Sequence, residues 1–296
     1  MIKSFFKDNN IDFFEDASLK KYNTYRVDAR CKYLVFPKTE EELIAILREI
    51  KKENIKYIIL GNGSNVIFDF EYYDGIIIRL DNLNLVEYKG NIVTVGAGYS
   101  LIKLAVETIN KGLSGLAFAA GIPGYVGAST AMNAGAYNSD MASIVKEVRV
   151  LNKNLEIEIL NKEQLDYSYR DSLLKQHPEY IVLSTTLELG EGNIKEMQEQ
   201  IQERRNKRLA SQPLDLPSAG SVFRNPEGMY AGELIEKLDL KGYNINGAEV
   251  SVKHANFIVN KGDAKGKDIV ELINKIQKEV KENYNVELKL EQIIIK

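Results

Sequence analysis

The chain has 296 residues, 44% of them hydrophobic, and a formal net charge of −3 from 39 basic and 42 acidic side chains. That length predicts about two domains with real cores, and the charge offers no field to a polyanion, so nucleic acid is not an expected partner. One cysteine, Cys31, and two histidines, His177 and His254, exclude an intramolecular disulfide, a thiolate cluster and an imidazole-built metal site. Redox or acid–base chemistry must then come from a bound cofactor together with Ser, Tyr, Arg and carboxylates.

Residues 1–25 read as an N-terminal arm. Charges run through it and it lacks the apolar stretch of a secretion signal, so the expected location is cytoplasmic. A strand over Lys32–Phe36 ends at Pro37. Thr39 followed by Glu42 makes a capping box, and the helix it opens buries Leu43, Ile46, Leu47 and Ile50. Lys56–Leu60 reads as a buried strand that runs into Gly61-Asn62-Gly63-Ser64-Asn65. Asp74-Gly75 predicts a turn before the apolar strand Ile76–Leu80. A second unit begins near Val86. Its strand Ile92–Val95 enters Gly96-Ala97-Gly98, and the helix that follows presents Leu101, Leu104, Ala105, Thr108 and Ile109 and stops at Lys111-Gly112.

From Gly112 to Ser139 there is no Asp, Glu, Lys or Arg, while six of the chain's 21 glycines fall in this stretch. Gly121-Ile122-Pro123-Gly124 and the polar Ser129, Asn133 and Asn138 argue against a membrane span. What remains is a packed ribbon: a structural turn, or a wall for a large, flat, partly apolar ligand. Strands are expected over 146–152, 155–160 and 180–189. Asn193 and Glu196 cap a helix reaching Leu209 that carries Arg204, Arg205 and Arg208. Gln212-Pro213 and Leu216-Pro217 mark a loop. The last part holds a helix over Ala231–Leu238, a strand over Phe257–Asn260 and a helix from Asp268 with Ile269, Leu272, Ile273, Ile276 and Val280 on its inner face. A final strand runs over Val286–Ile295.

Several stretches carry chemistry. Gly61, Gly63 and Ser64 can offer successive N–H groups to a phosphate or form an ordinary turn; Val66 rules out a dinucleotide fingerprint there, as Leu101 does after Gly96-x-Gly98. Tyr169-Arg170-Asp171 is either an exposed ion pair or an oxyanion donor. Ser221 follows Ala219-Gly220 between two prolines. With no histidine beside it and no Gly-x-Ser-x-Gly elbow, it suits a proton donor better than a nucleophile. His254 and Glu291 stand before and inside apolar strands.

Taken in order, these pieces resemble one family. Asn23-Thr24-Tyr25, the 61–65 loop, Val95-Gly-Ala-Gly98, Gly121-Ile-Pro-Gly-x-x-Gly127, Met132-Asn-Ala-Gly-Ala-Tyr137 and Tyr169-Arg-Asp-Ser172 come first. Arg204-Arg-x-x-Arg208, Gln212-Pro213, Ser218-Ala-Gly-Ser-Val-Phe-Arg-Asn-Pro226, Lys241-Gly242 and Lys253-His-Ala-Asn-Phe257 follow. From about residue 18 to 295 the chain resembles the UDP-N-acetylenolpyruvoylglucosamine reductase (UDP-N-acetylmuramate dehydrogenase) family, in its compact form without an extra tyrosine-bearing insertion.

The resemblance implies an α+β fold. A two-lobed FAD-binding domain of the vanillyl-alcohol-oxidase (PCMH) type spans 26–192, with lobes of about 26–85 and 86–192. A smaller α+β substrate domain spans 193–296. It implies FAD, NADPH as reductant and a UDP-sugar substrate, with no metal and no membrane insertion, in a monomer or weak dimer. Arg170, Ser221 and Glu291 fall on the family's catalytic positions: Ser221 as proton donor, Arg170 and Glu291 as stabilisers of the enolate. Tyr25, Gly61, Asn62, Gly63, Ser64 and Asn65 fall on cofactor positions. So do Gly121, Ile122, Pro123, Gly124, Gly127, Ala128, Asn133, Gly135, Ala136 and Tyr137. Tyr169, Arg224, Asn225, Lys253 and His254 fall at the substrate, and the Arg204–Arg208 cluster is shared between site and solvent. The chain departs from the family pattern at Asn62, at Arg224 in place of lysine, and at Glu291-Gln292-Ile293, where Glu-Val-Arg is usual. Two other readings remain: another FAD oxidoreductase of this fold, or a nucleotide-sugar-binding protein without redox chemistry.

Overall fold

The computed structural model describes residues 1–296. The chain forms two compact units, the first of residues 1–15, 33–61 and 75–205, the second of 16–32, 62–74 and 206–296. The two units interleave along the chain, and in the second Tyr25, Val27 and Ile67 belong to the same apolar core as Ile269, Leu272 and Ile273 of the C-terminal helix.

The first unit is built on an antiparallel five-stranded sheet, ordered Ile157–Asn161, Val145–Leu151, Ile181–Glu188, Ile92–Gly96, Val86–Lys89. Alternation along Val145–Leu151 sends Val148 and Val150 inward, where they are fully buried. The expected helix Leu101–Asn110 buries all five predicted positions and is capped by Ser100, whose Oγ accepts from the Lys103 N–H. The helix Glu40–Lys52 leads into the strand Tyr57–Leu60, which pairs in parallel with Ile76–Arg79. Thr39 caps that helix through the Glu42 N–H at 3.2 Å, but the Glu42 carboxylate answers to the Lys38 N–H at 2.8 Å. The box closes one residue earlier than expected.

The Gly96-Ala97-Gly98 loop is a packing motif. Its three N–H groups donate to Leu85, Leu183 and Leu83 carbonyls at 2.8–2.9 Å. A Cβ on Gly98 would lie 1.8 Å from the Leu80 oxygen, so only glycine admits this close approach.

The second unit packs the helix Gly266–Tyr284 against a small antiparallel sheet, Asn244–Ile245, Ala248–Val250 and Ile258–Asn260. All five predicted inner-face residues of that helix are buried. A two-stranded parallel ladder aligns Val66–Phe68 with Ile293–Ile295.

Three local expectations are corrected. Asp74-Gly75 is not a turn but lies within the strand Tyr72–Arg79, since ladder pairing overrides turn chemistry there. The final strand is confined to Ile293–Ile295; upstream, only Leu290 bridges, to Phe223. Residues Asp12–Ser18 of the arm form a strand, which their mixed polar and aromatic composition conceals.

Candidate active site

In the first unit the glycine ribbon runs through a short 3-10 helix, Ala117–Gly121, and a short α-helix, Val126–Ala131. It carries no charge, yet Gly121, Ile122, Gly124, Tyr125 and Ala134–Ala136 are only half-buried, and Pro123 and Ala128 are exposed. This is apolar surface left uncovered on a tightly held backbone. Beneath it, Arg79 is 3% exposed and donates to both Asp81 oxygens at 2.8 and 2.7 Å, to the Gly61 carbonyl at 2.8 Å and to the Tyr125 hydroxyl at 3.1 Å. Burial pushes the Asp81 carboxyl up, but hydrogen bonds from Arg79 and Tyr125 outweigh it and hold the group below its ordinary range.

Arg170 lies against this ribbon. Ser168 and Asp171 exchange N–H···O bonds at 3.1 Å, leaving Tyr169 and Arg170 at the tip of a tight turn. Arg170 takes φ +56°, a conformation that a turn normally assigns to Gly or Asn. Its guanidinium donates to the Gly135 carbonyl and lies 5.1 Å from the centre of the Tyr169 ring. Asn133 joins the two pieces: its amide donates to Ser168 O at 2.9 Å and to Asp140 at 3.1 Å, and accepts from the Ala142 N–H at 2.9 Å.

In the second unit Ser221 and Glu291 stand on paired segments. Phe223 bridges Leu290, and the Glu291 N–H donates to the Val222 carbonyl at 2.9 Å. The half-buried Ser221 hydroxyl has no partner within the chain. Asn65 reaches the same place, its amide donating to the Glu291 carbonyl at 3.1 Å while its own carbonyl accepts from Ile293 at 2.9 Å. In the loop before it, Gly63 has φ +69°, and a Cβ there would meet the Tyr22 oxygen at 2.0 Å. The N–H groups of Gly63 and Ser64 donate to no acceptor of the chain.

Two stretches match family models: residues 31–160 an FAD binding domain, and residues 212–295 the C-terminal domain of UDP-N-acetylenolpyruvoylglucosamine reductase. The chain is 40% identical over 287 residues to the reductase of that name from Clostridium perfringens, covering 97% of this chain and 94% of the relative. It is 41% identical over 278 residues to that from Bacillus subtilis, covering 94% and 92%. The crystal structure of the Thermus caldophilus reductase superposes with a TM-score of 0.82 at 33% identity, covering 97% of this chain and 99% of that one.

The chain belongs to the UDP-N-acetylenolpyruvoylglucosamine reductase family. Residues 31–160 carry the FAD-binding domain, and the fold is α+β. The residues present fit FAD. Unused N–H groups at Gly63 and Ser64 suit a diphosphate, and the uncharged, half-covered ribbon suits a flat ring system. No helix is long and apolar enough to cross a membrane.

The reductase family's motifs gather into two groups. The ribbon, Tyr169 and Arg170 come together in the first unit; the 62–65 loop, Ser221, Arg224, Asn225, Lys253, His254 and Glu291 lie in the second. Tyr25, expected at the cofactor, is fully buried, with its hydroxyl donating to Gln292 at 3.0 Å. Asn133 is 2% exposed with its amide satisfied, and so knits the ribbon to the Arg170 turn. Tyr137 is 43% exposed, with the Arg204 guanidinium 4.5 Å from its ring centre. The Asn225 oxygen accepts from the Ala231 N–H at 3.1 Å, the Lys253 ammonium donates to Leu209 O at 2.6 Å, and the Arg208 Nε donates to Gln212 at 2.9 Å.

Sequence reasoning missed two buried amides. Asn256 donates to and accepts from the backbone of Phe223 at 2.9 and 3.0 Å, fixing the segment after Ser221. Its place in Lys253-His-Ala-Asn-Phe257 was the available signal. Gln292 is the other, and its signal was the departure from the family's usual residue after Glu291.

Proposed function

We propose that this reductase converts UDP-N-acetylenolpyruvoylglucosamine to UDP-N-acetylmuramate with electrons from NADPH, a step of peptidoglycan precursor synthesis. The observation that carries the reading is the unoccupied Ser221 hydroxyl, on a segment whose next residue, Val222, accepts the Glu291 N–H at 2.9 Å. FAD held by these residues and reduced by NADPH would supply hydride chemistry at the methylene carbon of the enolpyruvyl ether. The double bond is conjugated to a carboxylate, so negative charge develops over that group. Arg170 and Glu291 meet it with donors fixed in advance. Ser221 gives its proton to the adjacent carbon, completing addition of two electrons and two protons' worth of hydrogen across the bond. The 61–65 loop holds the FAD diphosphate, and Gly121–Gly124, Gly127, Ala128 and Gly135–Tyr137 take the ring system. Tyr169, Arg224, Asn225, Lys253 and His254 hold the UDP-sugar. The reading places a monomer or weak dimer in the cytoplasm, where UDP-sugars and NADPH meet.

Anaerobic titration tests it. NADPH is expected to bleach the yellow holoenzyme, and stoichiometric UDP-N-acetylenolpyruvoylglucosamine to restore the colour. Flavin that stays bleached after the UDP-sugar would point to another substrate; a chain that takes up no FAD would end the redox reading.

Arg224 supports a narrower test. Its N–H is fixed on the Lys289 carbonyl at 2.9 Å, so a side-chain change leaves the loop backbone held. Losing a hydrogen bond to a charged diphosphate costs about 1.5–3 kcal/mol. Arg224→Ala is expected to raise the apparent KM for the UDP-sugar roughly ten- to hundredfold; an unchanged KM removes Arg224 from the site.

A further inference from the structure

Gln292 follows Glu291 directly and has no part in the roles assigned above. It is 3% exposed. Its carboxamide oxygen accepts from the Tyr25 hydroxyl at 3.0 Å, and its nitrogen donates to the carbonyls of Ala219 at 3.1 Å and Gly220 at 3.2 Å. Those two carbonyls belong to the residues immediately before Ser221.

The amide's orientation is not free. Burial pushes the Tyr25 phenol well above its ordinary range, although its bond to Gln292 works the other way, so the hydroxyl stays protonated and acts as donor. The Gln292 oxygen must face it, which turns the nitrogen to the two carbonyls. Tyr25 is itself anchored: its carbonyl accepts from Asn260 at 2.8 Å and its ring sits in the apolar core. Gly220, by contrast, takes φ +76°, and a Cβ there would meet nothing within 4 Å. That side of the turn is open space, and the two hydrogen bonds from Gln292 tie its carbonyls. The segment bearing Glu291 and Gln292 then grips the serine segment on both sides. The Gln292 side chain takes the carbonyls before Ser221, and the Glu291 N–H takes the Val222 carbonyl after it.

We propose that Gln292 is a positioning residue that sets the Ser221 hydroxyl relative to the Glu291 carboxyl, with Tyr25 fixing its rotamer. The proposal rests on the reading of Ser221 as proton donor. An apolar side chain at 292 would leave two carbonyls and a hydroxyl buried without partners. The loop would shift to satisfy them, and a displacement of about 1 Å at the reacting group is enough to slow chemistry up to a hundredfold.

The test uses the holoenzyme in stopped flow, with NADPH and the UDP-sugar as probes. Gln292→Met keeps length and volume but loses all three hydrogen bonds; Tyr25→Phe loses only the hydroxyl. In Gln292→Met, reoxidation of reduced flavin by the UDP-sugar is expected to slow about tenfold or more. kcat falls with it, KM and FAD affinity stay within about twofold, and the solvent deuterium isotope effect on reoxidation rises. Reduction by NADPH is unchanged. Tyr25→Phe moves the same way by about threefold. Reoxidation at the wild-type rate in folded Gln292→Met overturns the proposal, as does a common fall of both half-reactions with loss of FAD. If Gln292→Met fails to fold, Tyr25→Phe decides: slowed reoxidation with a larger isotope effect supports it, and a wild-type rate refutes it. Ser221→Ala run alongside separates the failures. If it reoxidises at full rate, the serine reading is wrong. If it is slow while Gln292→Met and Tyr25→Phe are normal, only the positioning role falls.

Discussion

In Ser221→Ala, NADPH is expected to bleach the flavin at the wild-type rate, while the UDP-sugar restores its colour roughly 10²–10⁴-fold more slowly, the span usual for loss of a positioned proton donor. On the proposed reaction the two half-reactions separate because only the second needs a proton delivered to carbon. The hydroxyl has no partner within the chain, so its removal breaks nothing that holds the fold. His254 is not placed to replace it. It lies in the same unit, but burial lowers its pKa below the ordinary histidine value, leaving it neutral near pH 7, and its Nδ1 already accepts from the Asn256 N–H at 3.2 Å. Ser221→Cys retains an ionisable donor at the same place and is expected to recover part of the rate. Stopped-flow absorbance of the flavin measures both steps. Equal rates in wild type and Ser221→Ala would remove the serine from the chemistry.

Much of the frame was legible because it rests on periodicity. Leu43, Ile46, Leu47 and Ile50, and later Ile269 to Val280, are buried where their 3.6-residue spacing put them. Local rules failed where long-range pairing decided the outcome. Asp74-Gly75 is drawn into a strand, and the terminal apolar run yields only three ladder residues beside Val66–Phe68. The two glycine pairs look alike in sequence, yet the N–H groups of Gly96, Ala97 and Gly98 are all bonded within the fold, while those of Gly63 and Ser64 are not. That difference depends on what packs against each loop, which spacing does not encode. The same holds for Tyr25, whose motif suggested a ligand and whose surroundings make it an anchor for Gln292. Ser221 and Glu291, 70 residues apart, are joined by backbone hydrogen bonds between segments with no local signature of pairing.

Arg170→Gly is expected to reduce kcat roughly 10²–10³-fold, as removal of an oxyanion donor does at about 2.7–4 kcal/mol, without lowering thermal stability by more than about 1 kcal/mol. The two effects part company because of the backbone. Arg170 occupies φ +56° at the tip of the Ser168–Asp171 turn, a conformation that costs a residue with a Cβ about 1–2 kcal/mol and glycine almost nothing. Relief of that strain offsets the lost bond to the Gly135 carbonyl and the lost stacking on Tyr169. A residue kept at its own expense, where glycine would fold as well, is one retained for what its guanidinium does. Arg170→Lys sharpens the point. It keeps the charge and the strain but replaces a planar fork with a point donor, so it is expected to fall between wild type and Arg170→Gly in rate while remaining no more stable than wild type. Thermal melting and steady-state kinetics on the three proteins measure the two axes independently. An Arg170→Gly protein that kept wild-type turnover would show the strained turn to be incidental and return the enolate's stabilisation to Glu291 alone.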